Sequence, residues 1–285
     1  TGRLQLLVLP NSELFGPLDK ILSSFPFIDY RTADDSYSPQ TRKLRFHDKI
    51  ILEPYENSFI PQALADSIIS LSCSLYGNEC ITSSASFVYG ARPYTRRPIN
   101  RDKVFSSFLD AIYRLADSES RIVLDISSTL YSKGHDYYPP EDQIEELVHD
   151  LTEIGSKEYP SIDILPLVSC PVLKTICILS KSNFGVYEWG ANLTWYSWLL
   201  RKPVIALAPP SVLQKLNDTH SSLQAWGSFF WESDSPIPLL PNTQLVPKVC
   251  DDGQLNTFRF APDDYSVDIG SFCRLAEQAF LRDQR

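Results

Sequence analysis

The chain has 285 residues, 43% of them hydrophobic and 21% charged, a composition that excludes a wholly disordered protein. Its formal charge of −9 at pH 7 argues against non-specific binding to nucleic acid or to an anionic membrane, because both require a positive field. No apolar run approaches the roughly 20 residues that cross a bilayer. The six cysteines are dispersed and include no Cys-x-x-Cys pair, which excludes a disulfide scaffold and a zinc ribbon.

The first part of the chain predicts a small α/β unit. An apolar run over residues 4–9, bounded by Gly2 and Pro10, indicates a buried strand. Further along, the pattern predicts a helix over residues 13–25, a loop over 31–40, a strand over 49–52 and a helix over 61–75.

The second part alternates strands and helices more regularly. The predicted strands cover residues 85–89, 121–125, 162–168, 184–187 and 203–207, and the predicted helices cover 102–116, 139–151 and 193–200. The strands are continuously apolar, which is typical of a parallel sheet covered on both faces. We therefore expect an α/β fold, with an amino-terminal lobe over residues 1–79 and a Rossmann-like lobe over 80–285.

A basic loop follows the strand at residues 85–89 and precedes a helix. It carries Arg92, Arg96 and Arg97, and Asn100 and Arg101 close it. Ligands of open parallel sheets bind at the carboxyl ends of strands, and guanidinium groups bind phosphate oxygens in a bidentate manner. A diphosphate is the expected ligand. The alternative is a solvated loop whose arginines pair with surface carboxylates.

A glycine turn follows the strand at residues 184–187. Gly190 and Ala191 allow a tight turn, and Asn192 or Thr194 could cap the next helix, whose first N–H groups would face an anion. Trp189 and Trp195 could offer a stacking wall for a base or a sugar. The alternative is a plain strand–turn–helix with buried tryptophans.

These two segments, followed by the strand Val204-Ile-Ala-Leu-Ala-Pro209, resemble glycosyltransferase family 61. The counterparts of the family's basic segment are Arg92, Arg96, Arg97 and Asn100. The counterparts of its Gly-Ala-Gly-Leu-Thr-Asn turn are Gly190, Ala191, Leu193 and Thr194. Trp189, Asn192 and Trp195 stand where the family has His, Gly and Asn.

The resemblance implies a GT-B fold, in which two Rossmann-like lobes face a cleft and the smaller amino-terminal lobe takes the acceptor. It implies an inverting transfer of a sugar from a nucleotide-diphosphate donor to a hydroxyl of a glycan or glycoprotein, with no metal and no other cofactor. The implied partners are therefore the nucleotide sugar and the glycan acceptor, with no nucleic acid and no membrane contact in this chain. It places a eukaryotic chain in the Golgi or endoplasmic-reticulum lumen and any other in the cytoplasm.

Inversion needs a base that takes the proton of the acceptor hydroxyl. Glu188, beside the glycine turn, is the first candidate. His135 and Asp136 lie in a loop after the strand at residues 121–125, and so are expected at the same edge of the sheet. The adjacent pair His47-Asp48, in the amino-terminal lobe, could also face the cleft. The sequence leaves the choice open.

A second reading is a catalytically silent relative that binds a glycan or a protein, which the altered turn favours. An oxidoreductase or methyltransferase is disfavoured because no Gly-x-Gly-x-x-Gly follows the first strand, and a serine hydrolase because Gly-x-Ser-x-Gly is absent.

Overall fold

The computed structural model describes residues 4–8, 28–32, 62–77, 85–93, 97–116, 120–126, 128–129, 141–189, 191–209, 243–245, 249–250 and 265–283. The strands within these ranges are β1 (Leu4–Val8), β2 (Ile28–Thr32), β3 (Ala85–Gly90), β4 (Ser120–Asp125), β5 (Ser128–Thr129), β6 (Asp163–Leu167), β7 (Cys170–Pro171), β8 (Phe184–Glu188), β9 (Val204–Leu207), β10 (Thr243–Leu245), β11 (Val249–Cys250) and β12 (Ser266–Val267). The helices are α1 (Gln62–Tyr76), α2 (Arg101–Leu115), α3 (Glu141–Glu158), α4 (Val172–Ser180), α5 (Ala191–Thr194) and α6 (Ile269–Asp283), and a π-helical segment (Trp195–Leu199) continues α5.

Six parallel strands form the main sheet in the order β10-β9-β8-β3-β4-β6. The chain starts at β3, moves outward through β4 to β6, then returns to the other side of β3 and moves outward through β8 and β9 to β10. This is the strand order of a doubly wound Rossmann sheet. The predicted α/β class is confirmed. The direction in which successive strands are added to the sheet reverses between β3 and β8.

Side chains of the sheet pack into two separate apolar layers because neighbouring residues of a strand point to opposite faces. Phe87, Tyr89, Ile122 and Leu124 join one layer, under α2, α3 and α6. Val88, Val123 and Tyr187 join the other, under α1, α4 and the segment around Tyr196. Both faces are covered, which explains why the strands read as continuous apolar runs.

Helix α6 closes the first layer against β3 and β8. The Phe280 ring lies 5.0 Å from Phe87 and 5.7 Å from Phe184, measured between centroids. The carboxylate of Asp268 caps the helix by accepting the N–H of Ser271 at 2.7 Å. Helix α6 therefore packs against the sheet through its Phe280 side chain.

The amino-terminal part of the chain is described only in β1, β2 and α1. Strands β1 and β2 pair in parallel, so the predicted strand at residues 4–9 is confirmed. The predicted loop at residues 31–40 was wrong at its start, since Arg31 and Thr32 belong to β2. The predicted helix at 13–25 and strand at 49–52 lie outside the described residues, and the division at residue 79 stays a prediction.

Candidate functional site

The candidate site lies where the chain leaves β3 and β8, at the carboxyl edge of the sheet. Gly90 ends β3 and pairs in register with Tyr187, and Glu188 ends β8 one residue later. In a sheet of this topology the crevice outside the reversal point is where ligands bind. The basic loop and the glycine turn are the two segments that flank it.

Glu188 is the centre of a buried polar cluster, with an exposed fraction of 2%. Its Oε1 accepts hydrogen bonds from Arg101 Nε at 2.6 Å and from the Tyr89 hydroxyl at 3.4 Å. Its Oε2 accepts hydrogen bonds from Arg101 Nη2 at 2.8 Å and from the Arg92 backbone N–H at 2.8 Å. These four donors occupy the lone pairs of the carboxylate.

Arg101 forms a bidentate ion pair with Glu188, and its side chain is 11% exposed. Burial lowers the pKa of this guanidinium, but the adjacent carboxylate outweighs burial, so the net shift is upward. Burial also raises the pKa of Tyr89, and the Glu188 charge adds to this rise. Tyr89 therefore stays a neutral hydroxyl that donates to Glu188.

The ion pair fixes the two flanking segments to each other. Arg101 Nη2 also donates to the Arg92 carbonyl at 2.6 Å, and Arg92 Nη1 donates to the Trp189 carbonyl at 3.1 Å. The basic loop after β3 and the turn after β8 are therefore tied through both backbone and side chain. These contacts between the described parts of the two segments need no ligand.

A second polar cluster lies beside the first, at the end of β4. Asp125 is buried, and its carboxylate accepts hydrogen bonds from the Tyr187 hydroxyl at 3.0 Å and from Asn192 Nδ2 at 3.2 Å. Burial raises the pKa of Asp125 to about 6, although the Tyr187 hydrogen bond opposes the shift. Asn192 is held by this carboxylate at the start of the helical segment after β8.

Gly90 allows these two clusters to lie next to each other. A Cβ at this position would overlap the ring of Tyr187. Only a residue without a side chain lets the Tyr187 ring cross β3 and reach Asp125 on the neighbouring strand.

The far end of the basic loop is fixed to the carboxyl-terminal part of the chain. Asn100 Nδ2 donates to the Val267 carbonyl at 2.9 Å, and Asn100 Oδ1 accepts the Val267 N–H at 3.0 Å. The Arg97 carbonyl accepts the Tyr265 N–H at 3.2 Å, and Arg97 is exposed. Both the nitrogen and the oxygen of the Asn100 side-chain amide are therefore hydrogen-bonded to the Val267 backbone.

The structure brings together three of the residues that the sequence proposed, Arg92, Glu188 and Asn192. Arg97 and Asn100 lie farther along the loop, where it meets β12. Arg96, His135, Asp136 and Gly190 lie outside the described residues, and so do the side chains of Ala191 and Thr194.

The four donors around Glu188 occupy the lone pairs of its carboxylate, which favours a positioning role, and its role as a base stays a prediction. Trp189 is 5% exposed and packs in the apolar layer over the sheet, so it offers no stacking wall.

Sequence reasoning missed Asp125, Tyr187 and the partnership of Arg101 with Glu188. The sequence did carry a signal for Asp125. This carboxylate directly follows the apolar run Ile122-Val-Leu124, so the buried strand places it at the edge of the sheet. No sequence signal paired Arg101 with a residue 87 positions away.

Among the described residues, no group of three or more His, Cys, Asp or Glu side chains is arranged to hold a metal ion. Within the same residues, the structure has no helix with the length and hydropathy of a membrane span.

No known protein family and no curated protein matches the chain by sequence. Among solved structures, UDP-GlcNAc 2-epimerase from Methanocaldococcus jannaschii aligns with a TM-score of 0.38 and 8% identity over 75% of this chain. An E. coli protein described as trehalose-6-phosphate bound with UDP-2-fluoro glucose aligns with a TM-score of 0.30 and 11% identity over 81%. The chain spans 45% of the length of each of these two.

EarP, from a study of arginine glycosylation of translation elongation factor EF-P, aligns with a TM-score of 0.30 and 9% identity over 100% of this chain and 94% of its own. At these TM-scores and identities, function has to be argued from the residues of the crevice.

Proposed function

We propose that this chain is a transferase that binds a nucleotide-diphosphate sugar in the crevice between β3 and β8 and transfers the sugar to a hydroxyl. The observation that carries the proposal is the ion-paired junction of the two flanking segments at the reversal point of a Rossmann sheet. Such a crevice is the usual nucleotide site of this topology. The junction preorganises it, which lowers the cost of binding.

Charge supports a diphosphate as the ligand. Residues 91–100 contain three arginines and no carboxylate, although the whole chain is acidic. Arg101 is neutralised by Glu188, so this loop keeps a local positive excess. Guanidinium groups would stabilise the charge that builds on the leaving diphosphate.

In the proposed transfer, an acceptor hydroxyl oxygen attacks the anomeric carbon opposite the diphosphate. The bond from that carbon to the diphosphate oxygen breaks, its electron pair leaves with the diphosphate, and the configuration inverts. The hydroxyl proton goes to a base, for which His135 and Asp136 are our candidates. The resemblance to family 61 suggests that the acceptor is a glycan or glycoprotein and that no metal is required.

The hydrogen bonds around the Glu188 carboxylate favour a second candidate function. Glu188 already accepts four hydrogen bonds, which leaves its carboxylate no free lone pair for the proton of an acceptor. A protein that binds a nucleotide sugar or glycan without transferring anything would have this arrangement.

A thermal-shift panel of nucleoside diphosphates tests binding first. A ligand at about 100 times its dissociation constant stabilises the folded state by about 2.7 kcal/mol. We expect one diphosphate to raise the melting temperature and Arg97→Ala to remove most of that shift, because Arg97 is exposed and its backbone bond survives the change.

The matched control is Arg114→Ala, which removes an exposed arginine from the other end of α2. It should leave the nucleotide shift unchanged. Equal effects of the two variants, or no response to any diphosphate, would count against the nucleotide site. If a diphosphate binds, the next measurement is whether the protein releases that diphosphate from its nucleotide sugar. Release in the presence of a metal chelator supports the metal-independent transferase, and no release supports the protein that binds without transferring.

A further inference from the structure

Two thiols from distant parts of the chain meet between α1 and α4. Cys73 lies in the last turn of α1, and Cys177 lies in α4, 104 residues later. Their sulfur atoms are 3.7 Å apart, with the Cys177 thiol donating toward Cys73 Sγ, and both are reduced.

The two cysteines differ in access. Cys177 is fully buried against the apolar layer that α4 shares with the sheet, whereas Cys73 is partly exposed. The Ser180 hydroxyl lies 3.9 Å from Cys73 Sγ and donates to the Cys177 carbonyl at 2.7 Å. Among the described residues, Cys73 is therefore the more accessible of the two thiols.

We propose that Cys73 and Cys177 are a redox modification site, at which a low-molecular-weight disulfide such as oxidised glutathione introduces a disulfide between α1 and α4. The inference is independent of the nucleotide site. It rests on the contact between the two sulfurs and on their unequal exposure.

The chemistry is two consecutive exchanges. The Cys73 thiolate attacks one sulfur of the reagent, the reagent's S–S bond breaks, and one thiolate leaves with the bonding electrons. Cys177 then loses its proton and attacks the Cys73 sulfur of the mixed disulfide, which releases the second thiolate. The two protein thiols lose two electrons, and the reagent becomes two thiols that carry the two protons.

The short sulfur contact makes the second exchange intramolecular. The sulfurs need to approach by about 1.7 Å to reach a bond length of about 2.05 Å, which is within the reach of side-chain rotation and a small helix adjustment. The resulting bond would close a loop of about one hundred residues, which restricts the unfolded chain strongly.

The test maps the bond in the full, unmodified chain. The protein is equilibrated with oxidised glutathione, quenched in acid, alkylated, and digested with trypsin and a glutamate-specific protease. Cleavage after Glu79 separates Cys73 from Cys80, and cleavage after Lys174 separates Cys170 from Cys177. We expect a linked peptide pair that carries Cys73 and Cys177.

A link from Cys73 to Cys80, a glutathione adduct that stays on Cys73, or two alkylated thiols would each overturn the proposal. As a second readout, oxidation should raise the melting temperature of the unmodified chain by about 5–10 °C. That rise should vanish in Cys73→Ser and Cys177→Ala and persist in Cys273→Ser, which removes a thiol from α6. A rise that survives Cys73→Ser would also overturn it.

Discussion

At the scale of single residues, the Glu188–Arg101 pair has the largest expected effect on stability. Both side chains are buried, and the carboxylate also holds the Arg92 N–H and the Tyr89 hydroxyl. Removing one charge of such a pair leaves the other buried without compensation, which costs much more than the pair itself contributes.

We expect Glu188→Gln to lower the free energy of unfolding by about 3–5 kcal/mol, because Arg101 would remain charged in a buried position. Urea denaturation measures the change. The matched control is Glu277→Gln, which breaks an exposed pair with Arg114 and should cost at most about 1 kcal/mol. Equal losses in the two variants would contradict the positioning role.

Asp125 predicts a pH dependence with a defined sign. Its pKa in the folded chain is about 6, above the value of 3.8 of an unperturbed carboxyl. The folded state therefore holds the proton more tightly than the unfolded state, and its contribution to stability is present below about pH 4 and lost as the pH rises through 6.

We expect the stability of Asp125→Asn, relative to that of the unmodified chain, to increase as the pH rises from 4 to 7. The total increase should be as much as about 3 kcal/mol, since one pKa unit corresponds to about 1.4 kcal/mol. Denaturation curves across this range give the difference. Asp110→Asn, at an exposed site on α2, is the control for the substitution itself. A difference that stays constant with pH would argue against a buried, protonated Asp125.

At the scale of elements, Gly90 decides how β3 and β8 lie beside each other. The Tyr187 ring occupies the space where a side chain at Gly90 would stand. The hydroxyl on this ring donates to the Asp125 carboxylate across β3, so a shift of the ring would also break that hydrogen bond.

We expect Gly90→Ala to destabilise the fold by about 1–3 kcal/mol through overpacking, and to weaken any nucleotide binding at the adjacent crevice. Gly270→Ala is the contrast, because a Cβ there meets nothing closer than 3.7 Å in the first turn of α6. That variant should gain about 0.5–1 kcal/mol. Calorimetry of both variants checks the opposite signs.

Elements were predictable from sequence where the apolar pattern was long and regular. The helix expected at residues 102–116 is observed at Arg101–Leu115, and the strand expected at 121–125 at Ser120–Asp125. Helix α4 was missed because six of its nine residues are apolar and the other three, Lys174, Thr175 and Ser180, do not recur at a helical period. Helix α6 was missed as well, although its face toward the core carries Phe272, Ala276 and Phe280 at helical spacing.

The site was predictable only in part. The position of Arg92 and Glu188 at strand ends followed from the alternation of strands and helices, since parallel strands end at one edge. The pairing of Arg101 with Glu188 and of Asn100 with Val267 depends on tertiary contacts between residues 87 and 167 positions apart. Spacing along the chain carries no information on such contacts.

At the scale of the whole molecule, the segment from Tyr265 to Asp283 packs against the sheet and fixes the basic loop. Asn100 makes two hydrogen bonds with the Val267 backbone, and the Tyr265 hydroxyl donates to the Leu207 carbonyl at 2.8 Å. The segment therefore bridges the start of α2 and the end of β9.

We expect Asn100→Ala to cost about 1–3 kcal/mol of stability, because it leaves backbone groups of Val267 without their partners. The affinity of the folded protein for a nucleoside diphosphate should stay within about twofold, as measured by calorimetric titration below the melting temperature. Asn100→Asp keeps the bond to the Val267 N–H and should lose less. A large drop in affinity with unchanged stability would make Asn100 a ligand contact.

The central place of β3 has a consequence for how the protein is made. Its partner on one side, β4, follows it closely, but Glu188 at the end of β8 follows Arg92 by 96 residues. At an elongation rate of about 5–20 residues per second, a growing chain leaves one edge of β3 unpaired on the ribosome for roughly 5–20 s. During synthesis this unpaired edge is open to capture by a chaperone or by another copy of the chain.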